Sequence, residues 1–160
     1  MRFYTLGFGL VIGGGALAVV IWRDSWRWRQ LAAVYEATTM PQGPQRRFST
    51  VILHGRGVAY NSYHSMVTLH ADRNGVWLLF RPFLLTIPFF KPLYIPFADL
   101  QATPRRWTLV SKAVELEASR APGLKLVLWQ RGADWIEDQS GGRLGLETRQ
   151  ASRMAASWPH

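Results

Sequence analysis

The residues from Phe3 to Trp22, FYTLGFGLVIGGGALAVVIW, form a run of 20 without a formal charge. A helix of this length spans roughly 30 Å, about the hydrocarbon thickness of a bilayer. Lipid offers the backbone no hydrogen-bonding partner, so such a run inside it must be helical. Arg2 precedes the run, while Arg23, Arg27 and Arg29 follow it against a single acid, Asp24. The excess of arginine on the C-terminal side predicts that this side stays in the cytoplasm of a cell (inner) membrane. Trp22, Trp26 and Trp28 cluster at the same end. Together with Arg23, Arg27 and Arg29 they are the expected anchors at the membrane interface. A cleaved signal peptide is the rival, since Ala16-Leu17-Ala18 has the form of a cleavage site. The apolar run continues past that point to Trp22 and its basic leader is one arginine, which favours a permanent single-pass helix over 3–22.

Gly9 and Gly13 within the run form one G-x-x-x-G pair. Small residues at this spacing let helix backbones approach closely in lipid, with a second copy or with another subunit. A glycine-tolerant span without a partner fits the same residues. Gly13 to Ala18 also matches G-x-G-x-x-A. The dinucleotide fingerprint requires a strand before it and an acid-ended strand after it, and an Arg/Trp cluster follows here instead.

Past the run, Trp28, Leu31, Ala32 and Tyr35 recur at i, i+3, i+4 and i+7. That spacing makes one helical face apolar and predicts a juxtamembrane amphipathic helix over 23–37. Its apolar face rests either at the membrane interface or on the following domain. Residues 38–47, with two prolines and a glycine, read as a linker.

From Phe48 the pattern changes to period two. Val67, Leu69 and Ala71 alternate with Thr68 and His70, and Asp72-Arg73-Asn74-Gly75 supplies a tight-turn signal before Val76–Phe80. Further strands are expected at Leu93–Phe97, continuing through Leu100, at Trp107–Val110 and at Val114–Ala118, with a turn at Ser111–Ala113. Val114, Leu116 and Ala118 alternate with Glu115 and Glu117, which predicts one dry and one wet face. Pro122-Gly123 marks a turn before Leu124, Leu126 and Leu128. Ala133–Gln139 reads as a closing helix with Trp135 and Ile136 inward. The expected fold is mainly β: a small antiparallel sandwich or barrel over 48–139 closed by a C-terminal helix, with 140–160 a loose tail.

These residues resemble those of a group of uncharacterised bacterial single-pass membrane proteins. The likeness runs through Trp28-x-x-Leu31-Ala32-x-x-Tyr35, the turn at Asp72–Gly75, Phe80-Arg81, and Lys91-Pro92-Leu93-Tyr94-Ile95-Pro96-Phe97. It covers roughly residues 28–138. This chain has Lys91 where that group usually has proline and Phe97 where it usually has tryptophan. The resemblance implies a pleckstrin-homology-like domain, a bent β-sandwich capped by a C-terminal helix. It implies no reaction, and a fold alone does not fix one.

Phe83 to Phe90, FLLTIPFF, is the most apolar stretch outside the N-terminal run. A second membrane helix there is disfavoured by Arg81, Lys91 and prolines 82, 88, 92 and 96, since each charge costs about 2.5–3.5 kcal/mol at a helix centre and proline breaks helices. Large apolar patches are rarely left uncovered. The loop therefore folds over the core, dips into the bilayer interface, or docks on a partner. Phe83, Leu84, Leu85, Phe89 and Phe90 are the candidate contacts, aided by Arg81, Lys91, Arg105 and Arg106.

The chain has 160 residues and a net charge of +9, with 16 Arg and 3 Lys among its 19 basic residues. Such a balance suits an anionic lipid surface or nucleic acid. Helix-turn-helix, zinc-finger and RNP-like patterns are missing from the sequence, so nucleic acid is not the expected partner. There is no cysteine, which excludes disulfides, thiolate nucleophiles and cysteine–zinc sites. His70 and Asp72 share a strand face, and Glu115 with Glu117 another, yet neither pair belongs to a recognised catalytic or metal-binding constellation. The expectation is a non-enzymatic, cofactor-free binding module tethered to the bilayer, contacting a protein partner or an anionic membrane surface. The alternative is a structural or accessory subunit of a larger membrane complex.

Overall fold

The computed structural model describes residues 25–55, 60–81, 90–106 and 112–146. The predicted span over 3–22 lies outside them, as does the predicted strand at Trp107–Val110. Among the described residues no helix is long and apolar enough to cross a membrane.

Helix α1 covers Trp26–Tyr35. Its Trp28, Leu31, Ala32 and Tyr35 stripe is buried on the β domain, which decides between the two surfaces the sequence allowed for it. The helix ends where Glu36 leaves helical geometry and forms a bridge to Leu93.

Seven antiparallel strands follow: β1 Gln45–His54, β2 Tyr60–Ala71, β3 Gly75–Phe80, β4 Leu93–Pro96, β5 Leu100–Arg106, β6 Lys112–Ala118 and β7 Lys125–Trp129. They make one curled half-barrel sheet in the order β4-β3-β2-β1-β7-β6-β5. The β1–β7 pairing joins the first four strands to the last three. Helix α2, Gln130–Ser140, leaves directly from β7.

The expected β2–β3 hairpin is present, with Ala71 opposite Val76. Asp72 closes it: one carboxylate oxygen accepts the amides of Asn74 and Gly75 at 2.7 and 2.9 Å. Gly75 is dictated by crowding, because a Cβ there would lie 2.6 Å from the Tyr94 ring and 2.7 Å from the Ile95 carbonyl.

Several boundaries differ from expectation. Strand β1 begins at Gln45, inside the predicted linker. Leu100–Arg106 is a strand of its own, separated from β4 by a 3₁₀ turn at Phe97–Asp99. Pro104 hid it. Among the described strands β5 stands at the edge of the sheet beside β6, and an edge strand tolerates a residue that has no N–H to donate. Lys112 and Ala113 belong to β6, opposite Arg106 and Arg105, and not to a turn. The segment after α2 is docked as far as Leu146. Gly141 turns the chain at φ 66°, a left-handed helix stop. Leu144 and Leu146 are then buried in the core. Their amides both donate to the buried Glu137 carboxylate, each at 2.8 Å.

The main core cluster reaches from Trp28, Leu31 and Tyr35 of α1 to Ala133 and Ile136 of α2, and Ile52, Ala113 and Val127, with Trp129 against them, form a smaller second cluster.

Candidate functional site

The best-organised polar and aromatic chemistry lies where α1 meets the sheet. Trp28 is fully buried. Its ring stands edge-on to Tyr63, Phe80 and Phe90, with centroids 5.5, 6.0 and 5.7 Å away. Phe80 and Phe90 stack at 3.8 Å. The indole N–H donates to the Lys91 carbonyl at 2.8 Å. Phe80 and Phe90 flank the apolar segment 82–89, so Trp28 clamps both of its stems. Lys91 pairs with Glu36 at 2.6 Å, and the Ala37 amide donates to the Pro92 carbonyl. One step earlier in α1, Arg27 donates to Asn61 at the start of β2, and a Cβ on Gly55 would sit 3.7 Å from its Nε. The start of α1, the ends of the β1–β2 connection and both stems of the β3–β4 segment therefore meet at one end of the domain.

The predicted contact residues divide as follows. Phe83, Leu84, Leu85 and Phe89 lie outside the described residues, as do Gly9, Gly13, Trp22 and Arg23. Phe90 is buried in the aromatic cluster and is not a free contact. Trp28 is a core residue and not an interface anchor, because its stripe packs on the sheet. Arg27 is likewise mostly buried, whereas Trp26 is 44% exposed with the Arg27 guanidinium over its ring at 4.9 Å. Arg29 is half-buried and Arg81 exposed. Arg81, Lys91, Arg27 and Trp26 thus share the α1 end. Arg105 belongs to a different cluster, and Arg106 stands at the end of β5 opposite Lys112.

That other cluster surrounds Glu115. Period-two reading puts Glu115 on a wet face, yet it is only 5% exposed. Lys125 Nζ reaches it at 2.6 Å, His54 Nε2 at 3.3 Å and Arg105 Nε at 3.5 Å. Burial alone would push its carboxyl up. The hydrogen bond from Lys125 and the nearby charges of Arg105, Lys125 and His54 outweigh that and hold it below the usual carboxylate range. A carboxylate so neutralised is built for stability more than for proton transfer.

His70 and Asp72 do not act as a pair. Asp72 is committed to the turn. The half-buried His70 ring is held below its usual value by burial and then by the Arg81 charge, against the carbonyls of Gly43 and Pro44. Among the described residues no group of three His, Asp or Glu side chains could hold a metal ion.

Sequence reasoning missed Tyr63 and Phe80 as partners of Trp28, and Glu137 as the clamp on Leu144 and Leu146. Tyr63 and Phe80 are 35 and 52 positions from Trp28, and Glu137 reaches 7 and 9 residues ahead across a turn; no local pattern reports either. No protein-family model, curated protein or solved structure matches the chain.

Proposed function

We propose that the chain is a membrane-anchored, non-enzymatic binding module. In it Phe3–Trp22 spans the bilayer, and a pleckstrin-homology-like domain seats its α1 end on the anionic cytoplasmic surface of a cell (inner) membrane. The single observation that carries this is the Trp28 clamp. Trp28 lies six residues beyond Trp22, roughly 9 Å along a continuous helix. It holds both stems of segment 82–89. The described residues that adjoin the two most apolar stretches, the start of α1 and the stems at Phe80, Arg81 and Phe90, therefore lie at one end of the domain. The eight residues 82–89 can reach out and back by roughly 13 Å, enough for the FLLTIPF run of 83–89 to enter the headgroup region. Exposed Arg81 sits at its base, where a cation favours anionic lipid. The resemblance implies a bent β-sandwich capped by a C-terminal helix, and the curled seven-stranded antiparallel sheet with its C-terminal helix supports this part of the reading.

The cysteine-free sequence makes the test direct. Leu85→Cys carries an environment-sensitive fluorophore on the full-length protein in nanodiscs of phosphatidylcholine and phosphatidylglycerol. The expected result is a blue-shifted emission quenched by doxyl groups on the lipid acyl chains. A water-exposed fluorophore, or a blue-shifted one that lipid-borne quenchers do not reach, refutes lipid contact. Release of the protein by carbonate washing alone refutes the anchor.

A further inference from the structure

Among the described residues, strand β1 has strand partners on both sides only in its second half: β7 pairs with Val51–His54, while the earlier residues of β1 pair with β2 alone. After Trp129 the chain leaves the sheet for α2. A cleft of about 320 Å³ opens between this edge of β1 and the first turn of α2, lined by Arg46, Arg47, Phe48, Thr50, Trp129 and Arg131 among others. Its lining includes three arginines and no acid. Among the described residues none of the three arginines takes part in an ion pair.

The backbone beside the cleft is strained. The β1–β2 register slips between Arg46 and Ser49 and again between Ser49 and Val51. Phe48 sits in the first bulge at φ 56°, and its side chain is 75% exposed. Left-handed backbone disfavours an aromatic residue, and water disfavours its ring, where glycine or asparagine would serve the turn better. Strain of this kind persists at functional positions. A basic cleft, an open strand edge and an aromatic ring held outward beside them are three features of one surface.

We infer that this cleft binds an extended acidic peptide. The peptide adds as a strand to the open edge of β1 around Arg46–Thr50, sets its carboxylates on Arg46, Arg47 and Arg131, and lays an apolar side chain against Phe48. Main-chain pairing supplies affinity in such strand addition, and the side chains supply selectivity. The chain's own residues 147–160 do not fit by charge, since they carry Arg149 and Arg153 against Glu147 alone. The cleft also lies at the opposite end of β1 from Gly55, which is beside Arg27. It shares no lining residue with the Trp28 clamp, so it stands apart from the membrane reading.

The test uses full-length protein in nanodiscs of phosphatidylcholine alone. The probe is a fluorescein-labelled octapeptide alternating glutamate with valine and threonine, followed by fluorescence anisotropy. Saturable binding is expected, weakening as salt screens the charges. Arg46→Gln combined with Arg131→Gln should weaken it roughly tenfold or more. Amide exchange at Phe48–Thr50 should slow in the complex. Phe48→Asn should bind several-fold more weakly while unfolding no more easily than wild type, because asparagine accepts the left-handed backbone. That variant keeps the idea testable if the arginine pair fails to fold. Equal affinity for a lysine–valine peptide, unchanged binding in the variants, unaltered exchange, or an oligonucleotide binding where the acidic peptide does not would each overturn the proposal.

Discussion

Trp28→Ala tests whether α1 is part of the domain or only its tether. Trp28 is fully buried, stands against three aromatic rings and donates one hydrogen bond to the Lys91 carbonyl. Truncating a buried tryptophan to alanine costs about 3–5 kcal/mol through lost transfer energy and the cavity left behind. The orphaned carbonyl adds on the order of 1 kcal/mol. Domains are stable by only about 5–15 kcal/mol, so the variant should retain little margin. At about 4 °C per kcal/mol for a domain of this size, the combined loss of about 4–6 kcal/mol should lower the melting temperature by roughly 16–24 °C. Near-ultraviolet circular dichroism of the full-length protein in mild detergent reads this from the aromatic cluster itself. Because Trp28 clamps the stems of segment 82–89, chymotrypsin should also cut that segment faster in the variant. Trp26→Ala is the matched control. Two residues away and 44% exposed, it should change stability by no more than about 0.5 kcal/mol. Two similar small effects, with proteolysis unaltered, would refute the account of α1 as a core element.

Two further predictions concern groups whose burial the sequence did not reveal. The Glu115 carboxyl is held below its ordinary value of 4.5 in the folded state, so it contributes stability above that pH and loses it as pH falls through the lower folded value. Acid titration of unfolding free energy should show this loss below about pH 4.5, and Glu115→Gln should flatten it while costing about 3 kcal/mol at neutral pH by stranding Lys125; an unchanged acid profile would contradict the assigned cluster. Ending the chain after Gly141 should destabilise the domain by at least about 3 kcal/mol, since it exposes the surface that Leu144 and Leu146 cover and leaves Glu137 buried without its two amides. A truncated protein with wild-type denaturant midpoint would show that 142–146 is dispensable.

Much of the fold was legible because it is written in local pattern. The β2–β3 hairpin follows from alternation and from Asp72–Gly75. Strands β6 and β7 and helix α2 follow from their leucine, valine and isoleucine spacing. The apolar stripe of α1 was legible too, but its destination was not, because spacing shows that a face is dry without saying whether lipid or protein dries it. Strand β5 was missed where Pro104, Arg105 and Arg106 mimic a loop, and edge position is a property of the assembled sheet. Glu115 looked solvated because its neutralising partners come from β1, β5 and β7, 10 to 61 positions away. Leu144 and Leu146 sit between glycines in a polar stretch, so nothing local marks them as buried. In each case the missing information is a contact between residues remote in sequence.

The burial of α1 has a consequence for any anchored version of the domain. A flexible linker after a membrane helix leaves the tethered domain free to tumble, and contact between one of its loops and the bilayer then costs orientational freedom. Here the first described element after the apolar run is helix α1, Trp26–Tyr35, packed into the core at Trp28, Leu31 and Tyr35, with the Tyr35 hydroxyl accepting the Arg120 amide at 3.1 Å. If Phe3–Trp22 is the proposed span, that orientational cost is met by the fold, and segment 82–89 is presented to lipid at a high effective concentration. In that proposed arrangement the Arg46–Arg131 cleft, at the far end of β1, would face the aqueous side, where a soluble acidic segment could reach it. Inserting a short glycine-serine stretch between Arg23 and Ser25 should therefore weaken the lipid contact of the loop while leaving peptide binding at the cleft unchanged. Unchanged lipid contact of the loop would mean that α1 transmits no orientation at all.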